Sequence, residues 1–443
     1  MGIIGKVASL LQSTFGTELD TIGRQSGVIQ RQREFSGASL LKTIVLTVMK
    51  SPNPTLADFV ATAAQLGVPV SPTAIKNRFT DKLVAHLKMG LEHVLKHTFA
   101  APPAAIPLLK KFTAVEIGDS TTVTLPDEYE AVFPGCGGKT GSGKAAVKIQ
   151  VVWEMLAGSL TKLDVGPGRH SDAKSVAIED PVLAGSLTIR DLGYFGLKRF
   201  RSIAEQEAYW ISRLQQGTIV FDNEGEPLDL LAFLRKQPPG KPIDVSVFLG
   251  STERLPCRLI ALRVPEERAN RRRQAAKKKA KDHGRVPAQE HLDLCDWTIL
   301  VTNCLEDKLT WKEVVVLYRT RWQIELMFKL WKSHSHLGTY RSQWTSEERM
   351  ALFWAKLIGV MLQHWLLLAS TWADPRRSHW KAAQLIRGWI VTLTCALEDI
   401  NDLIRTLERM TVTIELIARK KLQRKRPSSF QLLLNPELLD WTP

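Results

Sequence analysis

The chain has 443 residues, a length that predicts two to four domains rather than one ordinary core. Lys and Arg number 60 and Asp and Glu number 45, which gives a net charge of +15 at pH 7. Such an excess of positive charge favours a polyanionic partner, because each phosphate that is neutralised releases counterions. The five cysteines are scattered and form no CxxC pair, which argues against a disulfide framework and indicates a reducing compartment.

The sequence predicts neither a secretory signal nor a membrane span, so we expect a cytoplasmic protein with no membrane partner. The N-terminal sequence MGIIGKVASLLQSTFG lacks the long apolar core and the cleavage site of a signal peptide. The most apolar segment, Ala351 to Ser370, contains Lys356, Gln363 and His364. Polar side chains at these positions favour a buried helix over a membrane-crossing one.

Residues 1–107 are predicted to be helical. The sequence TLADFVATAAQLGVPVSPTAIKNRF predicts a helix, a turn at Gly67 and a second helix capped by Ser71. This outline is that of a helix-turn-helix, and it makes Lys76 and Arg78 on the second helix candidates for DNA binding. Many helical hairpins share the outline, so a purely structural hairpin is the alternative.

Residues 108–215 predict the first part of an α/β core. Four segments are rich in β-branched residues and are separated by turns, which is the pattern of strands. They are Ala114–Leu125, Ala145–Leu156, Ser159–Gly166 and Ser186–Gly193. Helices are predicted over Ser175–Leu183 and from about Leu197 to Leu214.

Residues 216–295 are predicted to interrupt this core with a separate β-rich subdomain. The sequences TIVFD, IDVSVFLG and RLIALRVP have the composition of strands. They are followed by a basic run, Glu266 to Arg285, in which nine Lys or Arg stand against one Asp from Arg268 onward. A solvated face or a mobile loop is the alternative for such a run, but its charge favours contact with phosphates.

Residues 296–345 are predicted to return to the core with a strand over Asp296–Asn303 and then one helix over Trp311–Ser333, called here the 311–333 segment. The segment contains no Gly or Pro, and apolar residues at helical spacing predict that one face packs into a domain. These apolar residues are Leu317, Ile324, Phe328 and Trp331.

A column of polar side chains runs along the same segment, because residues three or four positions apart are neighbours on a helix. Its members are Tyr318, Arg321, Glu325, Lys329 and Lys332. Glu325 is then either the centre of a ladder of intrahelical ion pairs or a metal ligand beside phosphate-binding cations. Residues 346–443 are predicted to be helical, and they contain a basic stretch at Ala418–Arg426.

Two aspartates lie at unusual places in the predicted strands. Asp119 shares the parity of Val115 and Ile117, and Asp191 shares that of Leu187 and Ile189, so each carboxylate lies on the apolar face of its strand. An unpaired charge there is costly, so each carboxylate needs compensation. One such Asp alone indicates a cap or a turn.

Two such aspartates in one core, together with Glu325, favour a shared metal site with all three as ligands. Three carboxylates from separate segments suit two Mg²⁺ ions, which prefer oxygen ligands and promote phosphoryl transfer as a pair. Arg321 and Lys332 would hold the phosphate backbone of the substrate.

The sequence Gly135–Val147, GCGGKTGSGKAAV, resembles a P-loop but does not fit one. Ala145 occupies the Ser/Thr position, and a strand rather than a helix is predicted to follow. We therefore expect a Gly/Ser hairpin. The histidines and cysteines show no zinc-site spacing, so no zinc site is predicted.

The 311–333 segment resembles the insertion-sequence-four family of DDE transposases. Tyr318, Arg321, Glu325 and Lys332 match its Y-(2)-R-(3)-E-(6)-K signature. GDST around Asp119 and IRDLGYF around Asp191 resemble its two aspartate regions. The resemblance covers roughly residues 110 to 345. It implies a ribonuclease-H-like core interrupted by a β-rich insertion, with helical N- and C-terminal regions.

The same resemblance implies roles for individual residues. Asp119, Asp191 and Glu325 would hold two Mg²⁺ ions, for which Mn²⁺ would substitute. DNA contacts would come from Tyr318, Arg321, Lys329 and Lys332. Trp297 is a candidate for stacking a flipped base, with a core tryptophan as the alternative.

The resulting hypothesis is a cut-and-paste DNA transposase that acts on the terminal inverted repeats of its element and on target DNA. It would work through a DNA hairpin, as a homodimer in a synaptic complex associated with the bacterial nucleoid. The domains expected are 1–107 for end recognition, 108–215 and 296–345 for the core, 216–295 for the insertion, and 346–443 as a candidate dimerisation region. The alternatives are a catalytically silent, transposase-derived DNA-binding regulator and a ribonuclease-H-like nuclease without strand transfer.

Overall fold

The computed structural model describes residues 2–31, 33–97, 99–137, 143–172, 181–238, 240–282, 284–372, 374, 376–420 and 427–439. The chain divides into two compact units. The first comprises Met1–Ala105, Ser120–His170 and Ile324–Lys421, and the second comprises Ile106–Asp119, Ser171–Gln323 and Leu422–Pro443.

The helices and strands are numbered in chain order. The helices are α1 (Ile3–Thr14), α2 (Glu18–Gln25), α3 (Gly37–Lys50), α4 (Leu56–Gln65), α5 (Pro72–Lys76), α6 (Asp81–Lys96), α7 (Leu197–Glu205), α8 (Leu230–Lys236), α9 (Glu266–Asp282), α10 (Gln289–Leu294), α11 (Trp311–Thr320), α12 (Trp322–Ser333), α13 (Ser346–Thr371), α14 (His379–Ala396), α15 (Ile400–Ile417) and α16 (Ser429–Leu434). The strands are β1 (Val115–Thr124), β2 (Ala146–Glu154), β3 (Leu160–Pro167), β4 (Leu187–Arg190), β5 (Tyr209–Arg213), β6 (Val220–Phe221), β7 (Ile243–Leu249), β8 (Leu255–Arg263) and β9 (Trp297–Thr302).

Helix α13 is the centre of the first unit. Its most apolar 18-residue stretch is entirely buried, although its length and composition alone would suit a membrane span. Its polar side chains have partners: Lys356 Nζ donates to the carbonyl oxygens of His336 (3.1 Å) and Thr339 (2.6 Å). His364 Nε2 lies 2.7 Å from the Gly158 carbonyl oxygen. The prediction of a buried helix is therefore confirmed.

The predicted hairpin of two short helices is present in the first unit. Thr55 begins α4 with a capping box, Gly67 turns the chain with a φ of +73°, and the Ser71 side chain caps α5. Helix α5 has only five residues, with Pro72 at its first turn. It is therefore shorter than the second helix that the sequence suggested.

One mixed sheet contains all nine named strands, in the order β3-β2-β1-β4-β5-β9-β8-β7-β6. β1 and β4 are parallel, as are β4 and β5, and β9 is antiparallel to β5. β2 and β3 form an antiparallel pair within the first unit. The four strands predicted between residues 114 and 193 are confirmed, with β4 shorter than expected.

Two predicted helices differ from the structure. The helix expected to run to Leu214 ends at Glu205, and β5 comes next because its aromatic and β-branched residues pair with β4. Trp210 on β5 is fully buried and stacks on Phe200, with ring centroids 4.2 Å apart. The helix expected over Ser175–Leu183 lies mostly outside the described residues, and positions 181–183 are not helical.

The strands expected in a separate subdomain are part of the main sheet. β9 pairs with β5 on one side and with β8 on the other, so β6, β7 and β8 extend the sheet beyond the core. Buried Arg258 on β8 donates to Asp244 and, with Nη1, to the Leu309 carbonyl oxygen at 2.6 Å. This strand therefore supports the loop that leads into α11. The basic run forms helix α9.

The described residues on both sides of the P-loop-like sequence pair with each other before β2. Pro134 and Ala145 make an antiparallel bridge, and Gly135 N donates to the Lys144 carbonyl oxygen at 2.6 Å. The expected Gly/Ser hairpin falls partly on positions 138–142, which lie outside the described residues. The glycine-rich sequence leads into strand β2, as predicted, whereas a P-loop leads into the N-terminus of a helix.

We expect Gly118→Ala to destabilise the protein. A methyl group at this position would overlap the guanidinium of Arg190, which is buried and has little room to move. Overpacking of this kind costs about 1–3 kcal/mol. Gly388→Ala is the matched control, because nothing lies near its added methyl group and Ala favours a helix interior. Chemical denaturation should show a loss for the first variant and none for the second; equal stabilities would contradict this packing.

We expect the stability of the wild type to rise with pH relative to Lys356→Met. Burial lowers the pKa of Lys356 from 10.5 to about 7, so between these values the unfolded chain binds one more proton than the folded chain. Raising the pH through that window then favours the folded state. Burial and nearby cations lower the pKa values of His334 and His336, so both titrate below the window. Melting temperatures measured from pH 7 upward should diverge, and parallel curves would contradict the prediction.

Candidate active site

The parallel pairing of β1 and β4 brings the two predicted aspartates side by side. Its register runs from Val115 opposite Leu187 to Gly118 opposite Arg190. Asp119 follows Gly118 on β1, and Asp191 is the first residue after the carboxyl end of β4. This edge of a parallel sheet is where α/β proteins place their ligands. Asp191 also begins the short turn Leu192–Tyr194.

Arg321 contacts both of these aspartates. Its Nη1 donates to Asp119 Oδ2 at 3.0 Å, and its Nε lies 3.8 Å from Asp191 Oδ1. The side chains of Arg321 and Asp119 are each 18% exposed, and that of Asp191 is 44% exposed. The guanidinium thus supplies the compensating charge that the strand pattern required at both positions.

A second arginine, which the sequence analysis missed, lies behind this pair. Arg190 is 4% exposed, and its guanidinium lies across Gly118 and 3.7 Å from Glu116 Oε2. Burial lowers the pKa of Arg190, while the charges of Glu116 and Asp119 act in the opposite direction. Strand parity places Arg190 on the opposite face of β4 from Ile189 and Asp191, so no local pattern linked it to the aspartates.

The 311–333 segment forms two consecutive helices rather than one. Helix α11 begins with a capping box between Thr310 and Glu313, and α12 begins after Arg321. Arg321 keeps right-handed helical angles, φ −49° and ψ −34°, so the interruption is a single residue. The predicted apolar face is buried, at Leu317, Ile324, Phe328 and Trp331. Trp322 and Leu326, in contrast, are 54% and 41% exposed.

The other signature residues lie around this junction. Burial raises the pKa of Tyr318 to about 12, so its hydroxyl stays protonated beside Arg321 and Asp191 at neutral pH. Glu325 follows Arg321 by four residues, and Lys329 and Lys332 lie farther along α12 in the first unit. Desolvation lowers the pKa of Lys332. Within the second unit, therefore, the two aspartates, Arg321 and Tyr318 come together.

The two aspartates have the donor chemistry for a divalent cation. Carboxylate oxygens are the ligands that Mg²⁺ prefers, and both side chains already lie against one cationic group. Among the described residues, no group of three or more His, Cys, Asp or Glu side chains is close enough to hold a metal ion. Metal binding by Asp119, Asp191 and Glu325 therefore stays a prediction.

Trp297 lies at the edge of a cleft in the second unit. The cleft has a volume of about 720 Å³ and is also lined by Arg213, Arg272 and His291. Arg272 Nη1 donates to the Trp297 carbonyl oxygen at 2.8 Å. Trp297 is partly buried and packs against the core of this unit, and it also lines the cleft. Its environment therefore suits both roles considered from the sequence, stacking of a base and packing in the core.

The basic helix α9 has an anchored half and an exposed half. Arg272 and Arg273 bind the segment around β9, the former through Thr298 and the latter through Asp296. Four lysines in the C-terminal half are exposed, at Lys277, Lys278, Lys279 and Lys281. Their charges lie at a helix C-terminus, where cations are favoured.

Lys76 and Arg78, the candidates in the first unit, contact protein groups. Lys76 forms an ion pair with Glu348, which is 2% exposed. Arg78 Nη1 donates to the Val28 carbonyl oxygen at 3.3 Å and lies over the Phe35 ring. These contacts stabilise the hairpin in the first unit, and DNA binding by either residue stays a prediction.

Known proteins resemble this chain along most of its length. It is 25% identical to the transposase for insertion sequence element IS231F of Bacillus thuringiensis subsp. israelensis, over 94% of this chain and 92% of that protein. It is 26% identical to the transposase for insertion sequence element IS421 of Escherichia coli, over 78% and 89%. It is also 26% identical to that for IS1151 of Clostridium perfringens, over 58% of each.

The family described as "Transposase DDE domain" matches residues 111–362, which include both aspartates and the whole 311–333 segment. That match covers more than half of the chain. The protein therefore belongs to this family, and it is a DDE transposase of the insertion-sequence-four type.

Proposed function

We propose that this transposase cuts DNA at the terminal inverted repeats of its element and joins the freed ends to target DNA by a cut-and-paste route, through a DNA hairpin. The proposal rests on the observation that Arg321 contacts both Asp119 and Asp191. A ribonuclease-H-like core is supported by the three parallel strands β1, β4 and β5 beside the antiparallel pair β2 and β3.

Asp119, Asp191 and Glu325 would hold two Mg²⁺ ions, with Mn²⁺ as a substitute. When bound, such a pair activates the attacking oxygen and stabilises the leaving oxygen. The helical spacing supports Glu325 as the third ligand, since it follows Arg321 by one turn of α12. Tyr318, Arg321, Lys329 and Lys332 would bind the DNA backbone next to the scissile phosphate.

The cleft at Trp297 supports a role in holding an unstacked base. An indole at the edge of a cleft of about 720 Å³ offers a face for stacking, and Arg213 and Arg272 add positive charge for the flanking phosphates. The exposed lysines of α9 would follow the DNA backbone without reading its sequence.

The remaining regions complete the proposal. Residues 1–107, with Lys76 and Arg78, would recognise the transposon end, and 346–443 would pair two copies in a synaptic complex. The core would comprise 108–215 and 296–345, interrupted by 216–295. The protein would work in the cytoplasm on nucleoid DNA. The basic stretch at Ala418–Arg426 falls largely on positions 421–426, outside the described residues.

A catalytically silent DNA-binding regulator is the second candidate. It would retain the basic surface of α9 but would have no need for two carboxylates held together at a sheet edge. A nuclease without strand transfer would keep the carboxylates and would show no preference for the inverted repeat. One cleavage experiment separates all three functions.

We expect Glu325→Gln to abolish cleavage while DNA binding persists. The substrate is a labelled duplex that carries the inverted repeat flanking the gene, with Mg²⁺ or with EDTA. Loss of a ligand should reduce the cleavage rate by at least about 100-fold. Glu205→Gln, at an exposed position on α7, is the matched control. Specific binding without cutting by the wild type under any metal would support the regulator, and cutting without preference for the repeat would support the nuclease.

We expect replacement of Lys277, Lys278, Lys279 and Lys281 by Gln to weaken DNA binding equally for all sequences. The slope of log K against log salt concentration should become shallower by about 0.9 for each phosphate that the variant no longer neutralises. Replacing the same four lysines with Arg retains the charge and should retain the slope. If the Gln variant keeps the wild-type slope, α9 does not contact the DNA.

A further inference from the structure

One guanidinium reaches both aspartates of the candidate site. Arg321 donates to Asp119 at 3.0 Å and approaches Asp191 to 3.8 Å, and all three side chains belong to the second unit. A planar guanidinium has several donors in a fixed arrangement, so one group can bridge two carboxylates. The charge that offsets these two carboxylates therefore comes from the chain itself.

This bridge competes with a divalent cation. Asp119 Oδ2 accepts a hydrogen bond from Arg321, so the guanidinium occupies one of the lone-pair directions through which this carboxylate could coordinate a metal ion. A guanidinium and a divalent cation placed between the same carboxylates would also repel each other. Arg321 therefore opposes metal binding at these two aspartates until it moves away from at least one of them.

A DNA phosphate is the group that can draw Arg321 away. Arginine binds phosphate through two parallel hydrogen bonds, as it binds a carboxylate, so the exchange replaces one charge-assisted contact by another. Arg321 lies at the junction of α11 and α12, where its long side chain can turn without unfolding either helix.

We propose that Arg321 acts as a latch on the metal site: it occupies Asp119 and Asp191 in the free protein and releases them when a DNA phosphate binds its guanidinium. DNA and metal would then load cooperatively, and the free protein would be held in a metal-poor state. The proposal rests on the proposed function, because it takes DNA and a divalent cation as the ligands. Coupling of this kind is reciprocal, so metal must tighten DNA binding by the same factor.

The first test measures Mn²⁺ binding to the full chain without DNA, from the paramagnetic resonance signal of the free ion. The Arg321→Gln variant should bind Mn²⁺ about tenfold more tightly than the wild type, within the usual range of such couplings. Arg319→Gln is the matched control, because it removes the same charge from an exposed position two residues away. Its Mn²⁺ affinity should equal that of the wild type.

Two further variants distinguish loss of the bridge from an effect of the substitution on folding. Arg321→Lys keeps the charge but cannot bridge two carboxylates, so its Mn²⁺ affinity should fall between those of the wild type and Arg321→Gln. Arg321→Gln combined with Asp119→Asn should lose the added affinity, which assigns the binding to this site. Melting curves without metal verify that each variant is folded.

The second test adds a DNA duplex that carries the end of the element. The Mn²⁺ affinity of the wild type should rise by about the factor that Arg321→Gln gives without DNA, and DNA should add little to the variant. Unchanged or weaker Mn²⁺ binding by Arg321→Gln, or a wild type whose Mn²⁺ affinity ignores DNA, would overturn the latch. Failure of the proposed function would give a different result: the wild type would bind metal and DNA together but would not cut the DNA.

Discussion

The parallel register between β1 and β4 is the constraint on which the site depends. It sets Gly118 opposite Arg190 and so carries two carboxylates, one residue further along, to the same edge of the sheet. Two like charges held that close repel each other, and the repulsion must be offset by cations fixed in the fold. Arg321 lies in front of the aspartates, and Arg190 lies behind Asp119.

The arginines of the second unit show how this chain holds charge in its interior. Arg190 and Arg258 are almost fully buried, and each lies next to a carboxylate, Glu116 in one case and Asp244 in the other. Arg258 also binds the backbone before α11. Such buried ion pairs contribute more to fixing one geometry than to net stability. Removing either partner leaves an unpaired charge in the interior. The loop before α11 is therefore held by a side chain of β8.

Much of this arrangement could be predicted from local patterns. Strand parity indicated that Asp119 and Asp191 needed compensation, and helical spacing placed Arg321 and Glu325 one turn apart. The resemblance to the transposase family is confirmed. What sequence could not supply was pairing between distant segments. That Arg321 would be the compensating group for both aspartates depends on the order of strands in the sheet, which no local period encodes.

The errors have similar causes. The helix expected to continue to Leu214 ends early because residues 209–213 gain more from pairing with β4 than from helical propensity. The break at Arg321 could not be predicted, since the segment contains no helix-breaking residue. The cleft beside Trp297 depends on residues from five separate stretches of chain, and only the aromatic side chain could be singled out beforehand.

The pairing of β9 with both β5 and β8 joins residues 216–295 to the main sheet. Because β9 pairs with both β5 and β8, removing residues 216–295 would leave a row of unpaired backbone groups along β9. An unpaired edge of that kind recruits other chains and leads to aggregation. By pairing along β9, β8 therefore keeps this side of the sheet closed to other chains.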